Sequence, residues 1–138
     1  MKKYNKIITF CMLLFVMVVL VGCKLEETTE EKIKDLDYTI CDEGKVPKGL
    51  YALIEQKKKE PFKLTYTVKD YMYIVIGYGA QDRMDLSIQL KELYLSENAI
   101  FVRTQLVSER EEHLGKDKVA YPVIVVKCER HDVAVIFK

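Results

Sequence analysis

The chain has no tryptophan and only two histidines, three prolines and six glycines among its 138 residues. So little glycine and proline excludes a collagen-like or proline-rich chain. With two imidazoles, few groups are available for acid–base or metal chemistry near neutral pH. A net charge of +1, from 22 basic and 21 acidic side chains, argues against a dedicated nucleic-acid binder, which carries a basic excess. No GxSxG, HExxH, Walker or dinucleotide-binding pattern is present. Gly77-x-Gly79 lacks the third glycine and the following helix of a phosphate loop. What the chain does have is 49% apolar and 31% charged residues, a composition that folds, in a length that suits one domain.

The first residues read as an address. Lys2, Lys3 and Lys6 make a basic start, and Ile7 to Gly22 runs without a charge. That run is shorter than the roughly 20 residues of a membrane span and fits the apolar core of an export signal. Leu20-Val21-Gly22-Cys23 resembles the bacterial lipobox, in which small residues precede a cysteine. The resemblance implies cleavage between Gly22 and Cys23 and diacylglycerol attached covalently to Cys23, with no other cofactor. The product would be lipid-anchored at the extracellular face of the bacterial cell membrane. Each buried CH₂ contributes roughly 0.8 kcal/mol, so two acyl chains anchor stably. The competing reading is a plain membrane anchor with a chance cysteine. Cleavage would also change the charge, since losing Lys2, Lys3 and Lys6 leaves 19 basic against 21 acidic side chains.

Three segments follow: a signal peptide over 1–22, a lipidated charged tether over 23–35, and a domain over 36–138. The tether carries Glu26, Glu27, Glu30 and Glu31, and Thr28-x-x-Glu31 matches a capping box, so it reads as a solvated spacer or a short helix. Leu36 to Ile40 alternates as a strand. Leu50, Leu53, Ile54 and Lys57 fall at helical spacing after Pro47, with Lys57-Lys58-Lys59 placed to complement the helix dipole. From Pro61 the period is two. Strands are expected over Phe62–Val68, Tyr71–Ile76, Leu86–Leu95, Ile100–Thr104, Tyr121–Cys128 and Val133–Phe137. The alternation slips by one residue between Leu90 and Leu93, which predicts a β-bulge near Lys91-Glu92. Short connections favour antiparallel pairing. The fold class expected is α+β: a mainly antiparallel β-sheet or small β-sandwich with one short N-terminal helix.

Candidate chemistry is sparse. His113 sits in a charged run, and His131 adjoins Asp132 in a predicted turn with no nucleophile beside it in sequence. Cys41 and Cys128 remain after Cys11 is removed and Cys23 is lipidated. In an exported chain they either form a disulfide or stay as two small buried thiols. Metal binding needs more ligands at closer spacing. Tyr71, Tyr73 and Tyr78 lie along one strand and its exit, either packing a sheet face or presenting a partner-binding one.

Several segments together resemble a known family. They are Asp35-Leu36-Asp37-Tyr38-Thr39, Glu60 to Tyr66, Tyr73-Ile74-Val75-Ile76-Gly77-Tyr78-Gly79-Ala80-Gln81, Lys91 to Ile100, and Ala120-Tyr121-Pro122 with the strand after it. In this order the chain resembles the PrcB-type domain, named for the protease complex subunit PrcB, over residues 36–128. The resemblance implies a non-enzymatic bacterial lipoprotein that accompanies an exported subtilisin-like protease or another envelope protein. It marks Tyr78, Gly79 and Gln81 as the residues to carry over to a partner site. Relatives continue from Gly-x-Gln into Pro-Thr-Gly-Gly-Tyr, whereas here Asp82-Arg83-Met84-Asp85-Leu86 follows, so the flexible glycine loop is replaced. Three functional expectations result. The first is a lipid-anchored interaction module that assists an exported protease. The second is a lipoprotein binding an envelope ligand or polymer in a tyrosine-lined pocket. The third is an enzyme built on His113 or His131.

Overall fold

The computed structural model describes residues 2–19, 27–109 and 118–138. Gly22, Cys23 and His113 therefore lie outside the described residues. The basic and apolar start forms a helix, α1 (Lys2–Val19). Among the described residues, no helix is long and apolar enough to cross a membrane.

The domain is an α+β fold of two four-stranded sheets with one helix packed against them. Its elements are β1 (Lys34–Asp35), β2 (Tyr38–Ile40), α2 (Lys48–Lys57), β3 (Pro61–Val68), β4 (Tyr71–Tyr78), β5 (Leu86–Leu95), β6 (Ala99–Ser108), β7 (Val123–Glu129) and β8 (Ala134–Phe137). One sheet runs β1-β5-β6-β8 and the other β2-β7-β4-β3. The bulge falls where the alternation slips: β5 and β6 change register between Leu90 and Glu92.

Three apolar clusters stack the layers. Between the sheets, Met72, Ile74, Ile76, Ile124 and Val126 meet Leu93, Ile100 and Val102. On the far side of β4, Tyr73, Val75 and Val125 pack on Leu50 and Ile54 of α2. Alternate residues of β4 thus face two different cores, which explains why its sequence is an almost unbroken apolar run rather than an alternating one. On the outer face of the β5–β6 hairpin, the rings of Tyr94 and Phe101 stack with centroids 5.1 Å apart. The Lys138 ammonium lies 5.0 Å from the Phe101 centroid. Ser96 closes this hairpin: its hydroxyl donates to the Ala99 carbonyl and accepts from the Ala99 N–H.

Three expectations need correction. Leu36–Ile40 is not one strand. β1 pairs with β5 and β2 with β7, and the chain changes sheet at Leu36-Asp37, burying Leu36 between them. The tether is solvent-exposed from Glu27 to Asp35 except for half-buried Thr29, but it is fastened to the domain rather than free, and no helix forms over Thr28–Glu31. Asn98 accepts from the Thr29 N–H and donates to the Glu27 carbonyl, Ile33 N–H donates to the Leu95 carbonyl, and Lys138 pairs with Glu30. A charged composition did not show these backbone partners. Third, β8 runs parallel to β6. The rule that short connections give antiparallel neighbours applies to consecutive strands, and here β7, in the other sheet, serves as the crossover between them.

The one-sided burial of α2 sets a test. Leu50→Ala and Ile54→Ala are each expected to cost about 2–5 kcal/mol in urea unfolding. Tyr51→Ala, on the exposed side of the same helix, should stay within about 0.5 kcal/mol of the parent.

Candidate functional site

The residues marked by the family resemblance form a structural corner. At Gly77, an added Cβ would collide with the ring of Phe62, its cross-strand neighbour, so the ring occupies the place of a side chain. Gly79 has φ +73°, and a Cβ there would lie 2.8 Å from Pro61 Cδ and 2.9 Å from Pro61 N. Gln81 forms a two-way backbone bridge with Ala120, and its side-chain amide donates to the Tyr78 carbonyl at 2.9 Å. The Tyr78 hydroxyl reaches Thr104 Oγ1 of the opposite sheet at 2.8 Å. Each of the three has a local structural use that accounts for its identity.

The segment that replaces the glycine loop is held by charge. Arg83 donates from Nε and Nη2 to the two Asp85 carboxylate oxygens at 3.0 and 2.6 Å, and the Ser108 hydroxyl donates to Asp85 at 2.7 Å. The Asp85 side chain is only 8% exposed. The Arg83 hydrogen bonds, and then that from Ser108, hold its carboxyl far below the ordinary carboxylate range, outweighing the opposing effect of burial.

The cysteine and histidine expectations resolve differently. Cys41 and Cys128 are free thiols. Cys128 belongs to the core between the sheets, while Cys41 packs on the α2 side of the same sheet, so the disulfide does not form in this fold. Side chains on opposite faces of a sheet cannot bring their sulfurs to bonding distance without rebuilding the backbone. Burial pushes the Cys128 thiol up, favouring the inert protonated form. His131 Nε2 is buried with no hydrogen-bond partner among the described residues. Among the described residues, no group of three His, Cys, Asp or Glu is placed to hold a metal ion.

The concave, polar and aromatic surface lies elsewhere, at the open end of the β2-β7-β4 sheet. A crevice of about 360 Å³ is lined by Asp37, Tyr38, Thr39, Tyr71, Lys127, Cys128 and Glu129. Tyr38 and Tyr71 are each 49% exposed. The Lys127 ammonium sits 3.9 Å from the Tyr71 ring centroid, a cation–π contact. Among the described residues, the Tyr38 and Tyr71 hydroxyls and the Asp37 and Glu129 carboxylates make no hydrogen bond or ion pair. By register Tyr38 shares the face of Cys128 and Tyr71 the face of Glu129, so the two rings border the crevice from opposite faces of the sheet, with donors and acceptors of both signs around them.

Of the three tyrosines expected along β4, only Tyr71 contributes. Tyr73 is buried under α2, and Tyr78 faces the core between the sheets. Sequence reasoning missed Tyr38 because strict alternation puts it on the same face as buried Leu36. That face is left open once β1 ends, so Tyr38 and Ile40 are half-exposed. Lys127 carried no signal of its own beyond its place in an apolar strand.

No protein-family model matches this chain, and no curated protein and no solved structure matches it. The PrcB-type resemblance rests on the residues quoted for it alone.

Two outcomes follow from this geometry. Gly79→Ala should destabilise by about 2 kcal/mol or more in urea unfolding, from left-handed backbone and contact with Pro61 together. The lowered Asp85 value contributes stability that is complete above the unfolded carboxylate value of about 3.9 and is lost as pH falls toward the folded one. Asp85→Asn should thus be less stable than the parent at pH 7, with the gap closing as pH is lowered through and below that value. Parallel stability curves for the two proteins between pH 7 and pH 2 would contradict this assignment.

Proposed function

We propose that the protein is a lipid-anchored, non-catalytic interaction module of the bacterial envelope that holds a partner protein at the Tyr38–Tyr71 crevice. The observation that carries this reading is that crevice: two half-exposed tyrosines, one under a lysine ammonium, amid polar groups that have no partner among the described residues. Tyrosine gives a large contact area and a hydroxyl at low entropic cost, and it is enriched at the centres of protein interfaces. The lipobox-like Leu20-Val21-Gly22-Cys23 supports the anchor, with Cys23 as the lipidated residue. The PrcB-type resemblance supports an exported subtilisin-like protease or another envelope protein as the partner, at the level of family analogy.

A second reading has one specific support. Half-exposed aromatic rings beside carboxylates and an ammonium also suit a polar envelope polymer, which makes a ligand the second candidate occupant of the crevice. The enzyme reading has no such support: His131 Nε2 is buried with no hydrogen-bond partner among the described residues, and His113 lies outside them.

Capture from detergent-solubilised membranes tests both. The full chain should recover a defined envelope protein, and Tyr71→Ala with Tyr38→Ala should lower recovery at least tenfold while leaving the fold intact by circular dichroism. Recovery of nothing above background in several growth states, or recovery unchanged by the double substitution, would remove the proposal. Cys23→Ala should eliminate the diacylglycerol mass in the same preparation.

A further inference from the structure

The fastened tether fixes how an anchored domain can stand. Asn98, in the turn between β5 and β6, holds the tether twice: its side chain accepts from the Thr29 N–H and donates to the Glu27 carbonyl. Two further contacts keep the next residues on the same hairpin, the Glu30–Lys138 ion pair and the bond from the Ile33 N–H to the Leu95 carbonyl. Lys138 is itself seated, with its ammonium donating to the Tyr94 hydroxyl and lying over the Phe101 ring. Among the described residues of the tether, Glu27 is thus the first to be held, and it is held at the Asn98 turn. Four residues separate it from Cys23, and four extended residues span at most about 14 Å.

The same end of the domain carries the crevice. β7 ends at Glu129, and the short connection through Arg130 and Asp132 brings β8 in beside Ala99, the residue after Asn98. The Arg130 N–H donates to the Asp70 carbonyl, which adds the turn between β3 and β4 to this end. Tyr71 lies opposite Glu129 and Tyr38 opposite Cys128, so both tyrosines stand here. The Gly79–Asp85 corner is at the other end, where β4 finishes at Tyr78 and β5 starts at Leu86. From Leu95 to Leu86 the two ends are about 30 Å apart, at about 3.3 Å per residue. A reach of about 14 Å cannot bring the far end to a bilayer, because the tether would first have to run the length of the domain. Charge does not set this orientation. The turns at the near end expose Asp70, Glu97, Glu129 and Asp132 against Lys69 and Arg130, with no basic excess to attract anionic lipid.

We propose that the domain stands with its Asn98 end toward the bilayer, so that the Tyr38–Tyr71 crevice opens at the membrane surface and the Gly79–Asp85 corner points away from it. This rests on the reading of Cys23 as the lipidated residue. It adds the class of partner that the crevice meets, a protein itself held at the membrane.

The test measures distance from the bilayer. The full lipidated chain, carrying Cys41→Ser so that buried Cys128 is the remaining native thiol, is placed in phosphatidylglycerol–phosphatidylethanolamine vesicles that contain a headgroup quencher. A fluorophore is attached at Glu97→Cys or at Asp82→Cys, both exposed positions at opposite ends. Mass spectrometry confirms the diacylglycerol, and circular dichroism the fold. The label at position 97 should be quenched at least threefold more than the label at 82. Ten glycine and serine residues inserted after Lys24 leave the domain untouched and lengthen the reach, so the ratio should fall toward one. Asn98→Ala, which releases the tether as far as Ile33, should lower it too. Equal quenching in the parent, stronger quenching at 82, or a ratio that neither change lowers would overturn the orientation while the anchor stands. A chain without the diacylglycerol mass would overturn the anchor and the orientation with it.

Discussion

The structure depends on one strand being buried from both sides. β4 contributes Ile74 and Ile76 to the core between the sheets and Tyr73 and Val75 to the core under α2. A strand with no solvent face must be covered twice, once by a second sheet and once by a helix. The rest of the chain supplies those covers. β7 and β3 flank β4 through long antiparallel registers, β5 and β6 form the roof on one face, and α2 lies on the other. The glycines of the corner serve the same end. Gly77 lets the Phe62 ring fold over the strand, and Gly79 lets the chain leave it beside Pro61.

Covering the middle leaves the edges thin. β1 and β2 are two and three residues long, and the chain spends Leu36 and Asp37 stepping from one sheet to the other. Beyond that step neither sheet reaches over its neighbour, which exposes Tyr38, Ile40 and the charge-free half of β5. Both openings, the crevice and a groove beside β5, therefore arise from the same economy: a small two-sheet domain completes its core before it completes its edges. The crevice mixes aromatic rings with charges, whereas the groove beside β5 is lined largely by apolar residues, and Tyr38 borders both.

The sequence was informative where burial imposes a period. β3, β5 with its bulge, and the apolar face of α2 follow from alternation and helical spacing, because each has one buried face. The apolar run Tyr71–Ile76 was legible as a strand, and only the structure shows that it is continuous because both of its faces are buried. It failed where the determining contact is distant in sequence. Nothing local in Leu36-Asp37-Tyr38 shows a change of sheet, and nothing in Glu27–Ile33 shows that its backbone will bond to Asn98 and Leu95. The same limit governed the site. Gly79 and Gln81 stood out by motif but serve the corner, whereas Tyr38 and Tyr71 come to border one crevice, from opposite faces, only because β2 and β4 both flank β7.

Native-state hydrogen exchange tests the two-sided burial of β4 most directly. The amides of Ile74, Val75 and Ile76 should be among the slowest in the chain and should exchange only through global unfolding. Their free energies of opening should equal the stability from urea and fall in step with it when Ile54 in one core or Ile100 in the other is cut to alanine. Exchange of the β4 amides by local opening, with a free energy that stays fixed as either core is weakened, would contradict the account.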